Sequence, residues 1–368
     1  MPDNGGILVS PLDWGLGHAA RLIPLIKVLL QQRQSVVLAA KGAQAALLAQ
    51  AFPALPLMGL PDYQIEYSRQ GSFWKTASQV PKILRAIRSE HEWLQAAAKQ
   101  YPIKAIISDN RYGLWHPGIP SVILSHQLQV QLPPLLRACQ GALQSQVYGL
   151  LRHFDECWVP DFPNGPSALS GSLGHPSTLP SLPVHYIGWL SRFAEGEPYS
   201  SRSFAYKAAV VLSGPEPQRT VFEQIILQQA QYLPDPLVVL RGLPGSSALP
   251  GAPANVALFN HLPAQQFEPL LLQSEFLISR GGYSTLMDAF TLGMNGIFVP
   301  TPGQTEQEYL CREMHRKEQA ISFSQRKFHL KEAIQKASRF QFKPPKPSND
   351  WSLHSFIGEW LRRCGLAE

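Results

Sequence analysis

Short runs of consecutive apolar residues recur along this chain, each followed by a turn of small or polar residues and then by a stretch of helical period. Gly6-Ile7-Leu8-Val9-Ser10 passes through a glycine-containing loop, residues 11–18, into a helix carrying Leu22, Ile26, Leu29 and Leu30. Residues 35–40 form a second such run, with a helix near 44–50, and residues 104–109 and 120–125 continue the series. A helix through 135–151 and strands at 156–159 and 184–187 complete it. Strands that are apolar at every position, rather than at alternate ones, are buried on both faces. Interleaved with helices, they specify a parallel sheet covered on both sides.

The alternation starts again near residue 208. A strand at 208–212 leads through Ser213-Gly214-Pro215-Glu216-Pro217 into a helix at 219–231, and strands at 237–240 and 256–259 follow. The stretch 188–206, without periodicity and with Gly196 and Pro198, reads as a linker. The fold class expected is therefore α/β, with two Rossmann-like domains. The first spans 1–190 and the second 207–345, and 346–368 forms a C-terminal helix packing back on the first. A length of 368 residues suits two domains that each bury a core.

Bulk properties exclude several classes. Cys139, Cys157, Cys311 and Cys364 contain no C-x-x-C pair, which argues against a zinc site or a disulfide framework and for a reduced, cytoplasmic setting. No run of about 20 apolar residues is long enough to span a bilayer, and the N-terminus lacks the basic region of a signal peptide. The formal charge of +6 favours an anionic partner. A zinc finger and an RNP-like aromatic motif are both missing, so no nucleic acid is expected as that partner. Over residues 73–94 the apolar positions Phe73, Ala77, Val80, Leu84, Ile87 and Leu94 keep helical spacing, while Lys75, Lys82, Arg85 and Arg88 lie largely elsewhere. This predicts an amphipathic, basic helix with an irregularity at Pro81. Its basic face suits either solvent or a peripheral contact with anionic lipid at the inner face of the membrane.

The most informative stretch is Phe276-Leu277-Ile278-Ser279-Arg280-Gly281-Gly282-Tyr283-Ser284-Thr285-Leu286-Met287-Asp288, which reads as strand, turn and helix. Gly281 and Gly282 permit a sharp turn and a close approach to a ligand. The next helix then directs its first N–H groups at that turn, making an anion site. Thr285 to Asp288 also fits a capping box, which by itself would explain both residues; otherwise Asp288 is placed to accept from ribose hydroxyls. One strand later stand Gln304, Glu306 and Gln307, either ligand contacts or the start of a helix. Ser213 and Gly214 precede a helix in the same way, Arg219 and Arg280 add charge, and His261 follows the 256–259 strand as a further donor-side candidate.

In the first half, Gly15-x-Gly17-x-x-Ala20 meets the loose dinucleotide pattern. Lys41 occupies the place where an NAD site needs an acid, which disfavours a dehydrogenase. His18 stands at the entry to the first helix, where the helix dipole lowers its pKa, and is the best-placed base; Asp13 and Asp109 are its rivals.

These residues resemble the bacterial N-acetylglucosaminyltransferases that make lipid II, the MurG type, and their wider glycosyltransferase family. The run from Ile278 to Asp288 is similar to that family's donor motif, as is Val299-Pro300 followed by Gln307 and Tyr309. The loop Gly15-Leu16-Gly17-His18 is similar to its Gly-Gly-His loop. The resemblance implies a GT-B architecture of two Rossmann-like domains with a cleft between them. It also implies a nucleotide-diphosphate sugar, UDP-linked in the family, and neither a metal nor a cofactor. Carried onto this chain, Asp288 would hold the ribose, the 282–285 turn would meet the diphosphate, Gln307 would touch the donor sugar and His18 would lie near the acceptor. Three departures stand out. Asp288 replaces the more usual Glu, Glu308 stands where a second Gln is usual, and Ser213-Gly214-Pro215 replaces a more glycine-rich loop.

The reading that follows is an inverting, metal-independent transfer of a hexosyl or N-acetylhexosaminyl group to an acceptor hydroxyl. A hydrolase or epimerase using the same donor, and a sugar-nucleotide-binding subunit without catalysis, are the alternatives.

Overall fold

The computed structural model describes residues 5–60, 80–132, 134–193, 203–214, 216–244, 246–348 and 351–367. Residues 73–79 of the expected basic helix, 194–202 of the expected linker and Pro215 lie outside them. The described residues form two compact units, one built from those up to Leu190 together with the segment from Pro347 onward, the other from those between Ser191 and Lys346.

The first unit runs β1 (Gly6–Pro11), α1 (Leu16–Gln31), β2 (Val36–Ala39), α2 (Gly42–Ala51), β3 (Leu57–Met58), α3 (Val80–Gln100), β4 (Ile103–Asp109), β5 (Ser121–Leu124), a 3-10 turn at Pro134–Cys139, α4 (Gln140–Leu151), β6 (Glu156–Val159) and β7 (Val184–Tyr186). Its strands form one sheet in the order β3-β2-β1-β4-β5-β6-β7, and every neighbouring pair is parallel. All six residues of β1 are buried, as the unbroken apolar run requires. On one face Leu8, Val37, Ile106, Leu94 and Leu114 pack together. The strand order reverses between β1 and β4, and ligands of such sheets lie at the carboxyl ends of the strands flanking that reversal. Here those ends are Pro11 and Asp109, paired in register.

The described part of the expected basic helix is α3, in which Pro81 is the second residue. Its C-terminal half packs through Glu90, Leu94 and Ala97, while Val80 and Leu84 near its start are exposed.

The second unit runs β8 (Tyr206–Val211), α5 (Gln218–Ala230), β9 (Leu237–Leu240), β10 (Val256–Phe259), α6 (Ala264–Leu272), β11 (Ser274–Ser279), α7 (Tyr283–Thr291), β12 (Asn295–Phe298), α8 (Thr305–Arg316), β13 (Ala320–Ser322) and α9 (Leu330–Ala337). Its sheet has the order β10-β9-β8-β11-β12-β13 and is likewise parallel throughout. The reversal falls between β8 and β11, which places Ser213-Gly214 and Arg280-Gly281-Gly282 at neighbouring strand ends. The two sheets bear out the α/β reading with two Rossmann-like halves.

A last helix, α10 (Leu353–Arg363), belongs to the first unit. Ser352 caps it, its Oγ accepting from Ser355 N at 3.2 Å, an arrangement that contributes about 1 kcal/mol. Trp360 is buried with its ring edge-on to Trp158, the centroids 5.1 Å apart, and Arg363 pairs with Glu156 at 2.8 Å.

Candidate active site

Four polar side chains meet at the strand reversal of the first unit. Gly15, at φ 112°, turns the chain out of β1 and into α1, a conformation a side chain would oppose. His18 follows as the third residue of α1, and Arg21, one turn later, falls on the same face. Asp109 ends β4, and His126 lies just beyond β5. Asp109 Oδ2 lies 3.0 Å from His18 Nδ1 and 2.9 Å from Arg21 Nε, and Arg21 Nη2 donates to Asp109 Oδ1. Arg21 Nη1 reaches His126 Nδ1 at 2.9 Å, and Nη2 stands 3.0 Å from His18 Nδ1.

The electrostatics set the charge on Asp109. Burial alone would raise the Asp109 pKa, but Arg21 and His18 overcome it and hold the carboxyl down at about 2. His18 Nδ1 thus faces both a carboxylate oxygen, which accepts, and a guanidinium N–H, which donates; in the tautomer that donates to Asp109, Nε2 carries the lone pair. The pKa of His18 is lowered, chiefly by burial; Asp109 opposes this, and Arg21 and His126 add to it. The helix start was the expected cause, and desolvation is the larger one. His18 nevertheless keeps 16% side-chain exposure, enough for contact with a substrate.

Asp109 was expected as a rival base and has a different position in the structure. Fully buried, ionised and engaged by Arg21, it is the partner of His18. Asp13 joins another cluster: it lies 3.8 Å from Arg111, which is buried, pairs with Glu90 and donates to the Pro11 carbonyl at 2.7 Å. Gly17 lies within the first turn of α1.

In the second unit, the turn before α7 does its work differently from its sequence reading. Gly282, the residue preceding α7, has φ −73°, and neither Gly281 nor Gly282 is left-handed. What requires glycine at 281 is packing, because a Cβ there would lie 2.1 Å from Cys311 Sγ on α8. Gly281→Ala is therefore expected to destabilise the fold by about 1–3 kcal/mol. Combining it with Cys311→Ala should recover most of that loss in urea unfolding. A single variant as stable as wild type would show that α8 simply moves aside.

The capping-box reading of Thr285 and Asp288 is also corrected. Thr285 is the third residue of α7, and no side chain caps that helix. Instead, the buried Asp288 accepts from Ser191 Oγ at 2.7 Å and from Arg192 Nε at 3.1 Å. Its pKa is raised by burial, with Arg192 and Ser191 opposing. The Arg192 guanidinium lies over Phe193 and Phe267, 5.0 and 4.9 Å from the ring centroids. His261 is close enough that Arg192, after burial, lowers its pKa, and its Nε2 has no hydrogen-bond partner among the described residues.

Gln307 is buried and accepts from Thr301 N at 2.8 Å through Oε1. Its Nε2 is thereby held beside Gly282, 4.0 Å from where a Cβ would stand. Ser284 lies in the first turn of α7, Gln304 precedes α8 and Glu306 falls in its first turn. Gly214 has φ 100°, and a Cβ there would meet open space; Ser213 precedes it at the end of β8.

The two arginines expected near the diphosphate are engaged by the protein itself. Arg219 is buried among Glu216 at 2.5 Å, Glu223 at 2.8 Å and Thr220 at 2.6 Å. Arg280 donates to the carbonyls of Val299, Pro300 and Gln218 while lying over Phe222, and burial lowers its pKa to about 10. Both cations hold the unit together. Among the described residues, no group of three or more His, Cys, Asp or Glu side chains is placed to hold a metal ion.

Arg21, Ser191 and Arg192 escaped the sequence reading, whereas His126 stood out only as a polar residue at a strand end. Arg21 had a detectable signal, a cation one turn from His18 on a buried helix face. Ser191 and Arg192 had none, falling in a stretch without periodicity.

Residues 258–352 match the model of the glycosyltransferase family 28 C-terminal domain, a span containing the turn at 281–282, Asp288 and Gln307. Solved structures similar to the chain over nearly its whole length include the glycotransferase of kitacinnamycin (17% identity, 99% of this chain and 96% of that one, TM-score 0.58). The spinosyn forosaminyltransferase SpnP is another (14%, 99% and 96%, TM-score 0.60). A third is the spinosyn rhamnosyltransferase SpnG complexed with thymidine diphosphate (16%, 98% and 93%, TM-score 0.56). The chain has the GT-B fold. At these identities the likeness to solved structures establishes fold alone, and the family 28 match is confined to residues 258–352. Comparison with curated protein sequences finds no match.

Proposed function

We propose that this chain transfers a sugar from a nucleoside-diphosphate donor to an acceptor hydroxyl, with inversion and without a metal. The observation that carries the reading is the His18–Asp109 contact of 3.0 Å, a base with its orienting carboxylate, in a chain whose second unit bears the family 28 domain. His18 Nε2 takes the hydroxyl proton as the acceptor oxygen bonds to the anomeric carbon. The bond from that carbon to the phosphate oxygen breaks, and the nucleoside diphosphate departs with its electron pair. Asp109 stabilises the imidazolium that forms.

On the donor side, the turn at Ser213-Gly214 and the helix start at Gly282–Thr285 supply backbone N–H groups for the diphosphate. Gln307 Nε2, fixed beside Gly282, is placed for the sugar, and Asp288 for the ribose. The family resemblance suggests a UDP-sugar, and the thymidine diphosphate held by SpnG makes TDP-sugars the next to try.

The test is nucleoside diphosphate release by the purified chain, using UDP- and TDP-sugars with and without a panel of hydroxylated acceptors. Release that depends on acceptor is the expected result. Release of equal rate without acceptor would make the protein a hydrolase. Donor binding with no turnover under any condition would overturn catalysis altogether.

A further inference from the structure

At the edge of the second sheet, just past the carboxyl ends of β12 and β13, lies a cavity of about 380 Å³ whose walls include Pro300, Pro302, Glu308, Arg312, Ser324 and Arg326. Its volume falls within the range of about 300–1,000 Å³ that small-molecule sites occupy. The turns at Ser213-Gly214 and Gly281-Gly282 follow other strands, β8 and β11, and Gln307 does not line it.

Glu308 and Arg312 stand four residues apart on α8, a spacing at which an acid and a base ordinarily pair. Here Glu308 reaches back to the preceding loop instead, its Oε1 accepting from Gly303 N at 3.0 Å. Arg326 comes from the 3-10 turn Gln325–Lys327 that follows β13, and Ser324 precedes that turn without its hydroxyl capping it. Among the described residues neither Arg312 nor Arg326 forms an ion pair, and both are exposed. Two guanidiniums against one carboxylate leave the cavity with a net charge of +1. A guanidinium is a rigid fork of donors that matches the oxygens of a carboxylate or a phosphate.

We propose that this cavity is an anion site of the second unit, separate from its glycine turn, which takes a small molecule through a phosphate or carboxylate group held by Arg312 and Arg326. Pro300 and Pro302 flank Thr301, whose N–H donates to Gln307 Oε1 at 2.8 Å, so an occupant rests against the segment that fixes Gln307. The assignment does not depend on the transfer reading, because it uses neither His18 nor the residues placed for the donor.

The full chain labelled with 15N-arginine, in mildly acidic solution, reports each guanidinium through its Nε–H signal, with the two signals assigned by Arg312→Lys and Arg326→Lys. Both side chains are exposed, so these variants keep the fold. Inorganic phosphate and citrate are titrated separately, with sodium chloride of equal ionic strength as the control. Both signals should move along one saturating curve with at least one of the two oxyanions and not with chloride. Arg326→Gln should raise the dissociation constant read at Arg312 by about 10-fold or more. Tighter saturation by phosphate identifies a phosphorylated ligand, and tighter saturation by citrate a carboxylate. Signals that stay still with both anions, drift without saturating or saturate at unrelated concentrations would overturn the site. So would an Arg312 curve that Arg326→Gln leaves unchanged.

Discussion

His18→Ala is expected to lower turnover by about 10²- to 10⁴-fold, the range for loss of a general base, with donor affinity and thermal stability nearly unchanged. The side chain keeps contact with solvent and lies apart from the sheet core, so its removal opens no large cavity. The pH profile of the wild type carries the sign of the argument. Burial holds the His18 pKa below its ordinary value of 6.5, so the base form persists into mildly acidic solution. Activity should therefore fall only as pH drops through that lowered value, and the alanine variant should lose this limb. Unchanged turnover, or an acid limb retained in the variant, would place the base elsewhere.

Asp109→Ala should affect both stability and chemistry. It removes the only carboxylate paired with Arg21 among the described residues and leaves a guanidinium buried at 1% exposure without its counter-charge. Breaking a buried pair from one side costs about 3–5 kcal/mol. The native Asp109 pKa of about 2 lies below its ordinary 3.8. The stability this difference contributes is present above about pH 4 and is lost as pH falls toward 2. His18, whose pKa is also lowered, adds a loss in the same direction below about pH 6.5. Urea titrations of wild type and Asp109→Asn across this range should show a flatter acid dependence in the variant. Identical slopes would mean that the carboxylate is not ionised in the native state. Where Asp109→Asn folds, its turnover should also fall, because the imidazolium loses its stabilising charge.

The strands were legible in the sequence. The blocks 156–159, 237–240 and 256–259 became strands with the same bounds, and the wholly apolar 237–240 is buried at every position, since an unbroken apolar run between polar turns has few other ways to hide both faces. The stretch 281–288 drew attention to the right place for partly wrong reasons. Its first glycine is explained by Cys311 on a helix not adjacent in sequence, and its acid by Ser191 and Arg192, about a hundred residues upstream. Arg219 and Arg280 looked like phosphate ligands because charge near a helix start is visible in a sequence, whereas the acids and carbonyls that occupy it are not.

The sequence by itself determined the repeated βα order, the two parallel sheets it implies and the short list of polar residues at the strand ends. All of these follow from local periodicity and from the burial that an apolar run demands. Only the tertiary structure decided which of those residues act together. The pairing of His18 with Asp109, and the reach of Arg21 to both Asp109 and His126, depend on parallel register across β1, β4 and β5, which brings together side chains 88 to 105 positions apart. Local propensity does not encode such distances. They are set by how the strands align, and with them the difference between a rival base and the carboxylate that orients it.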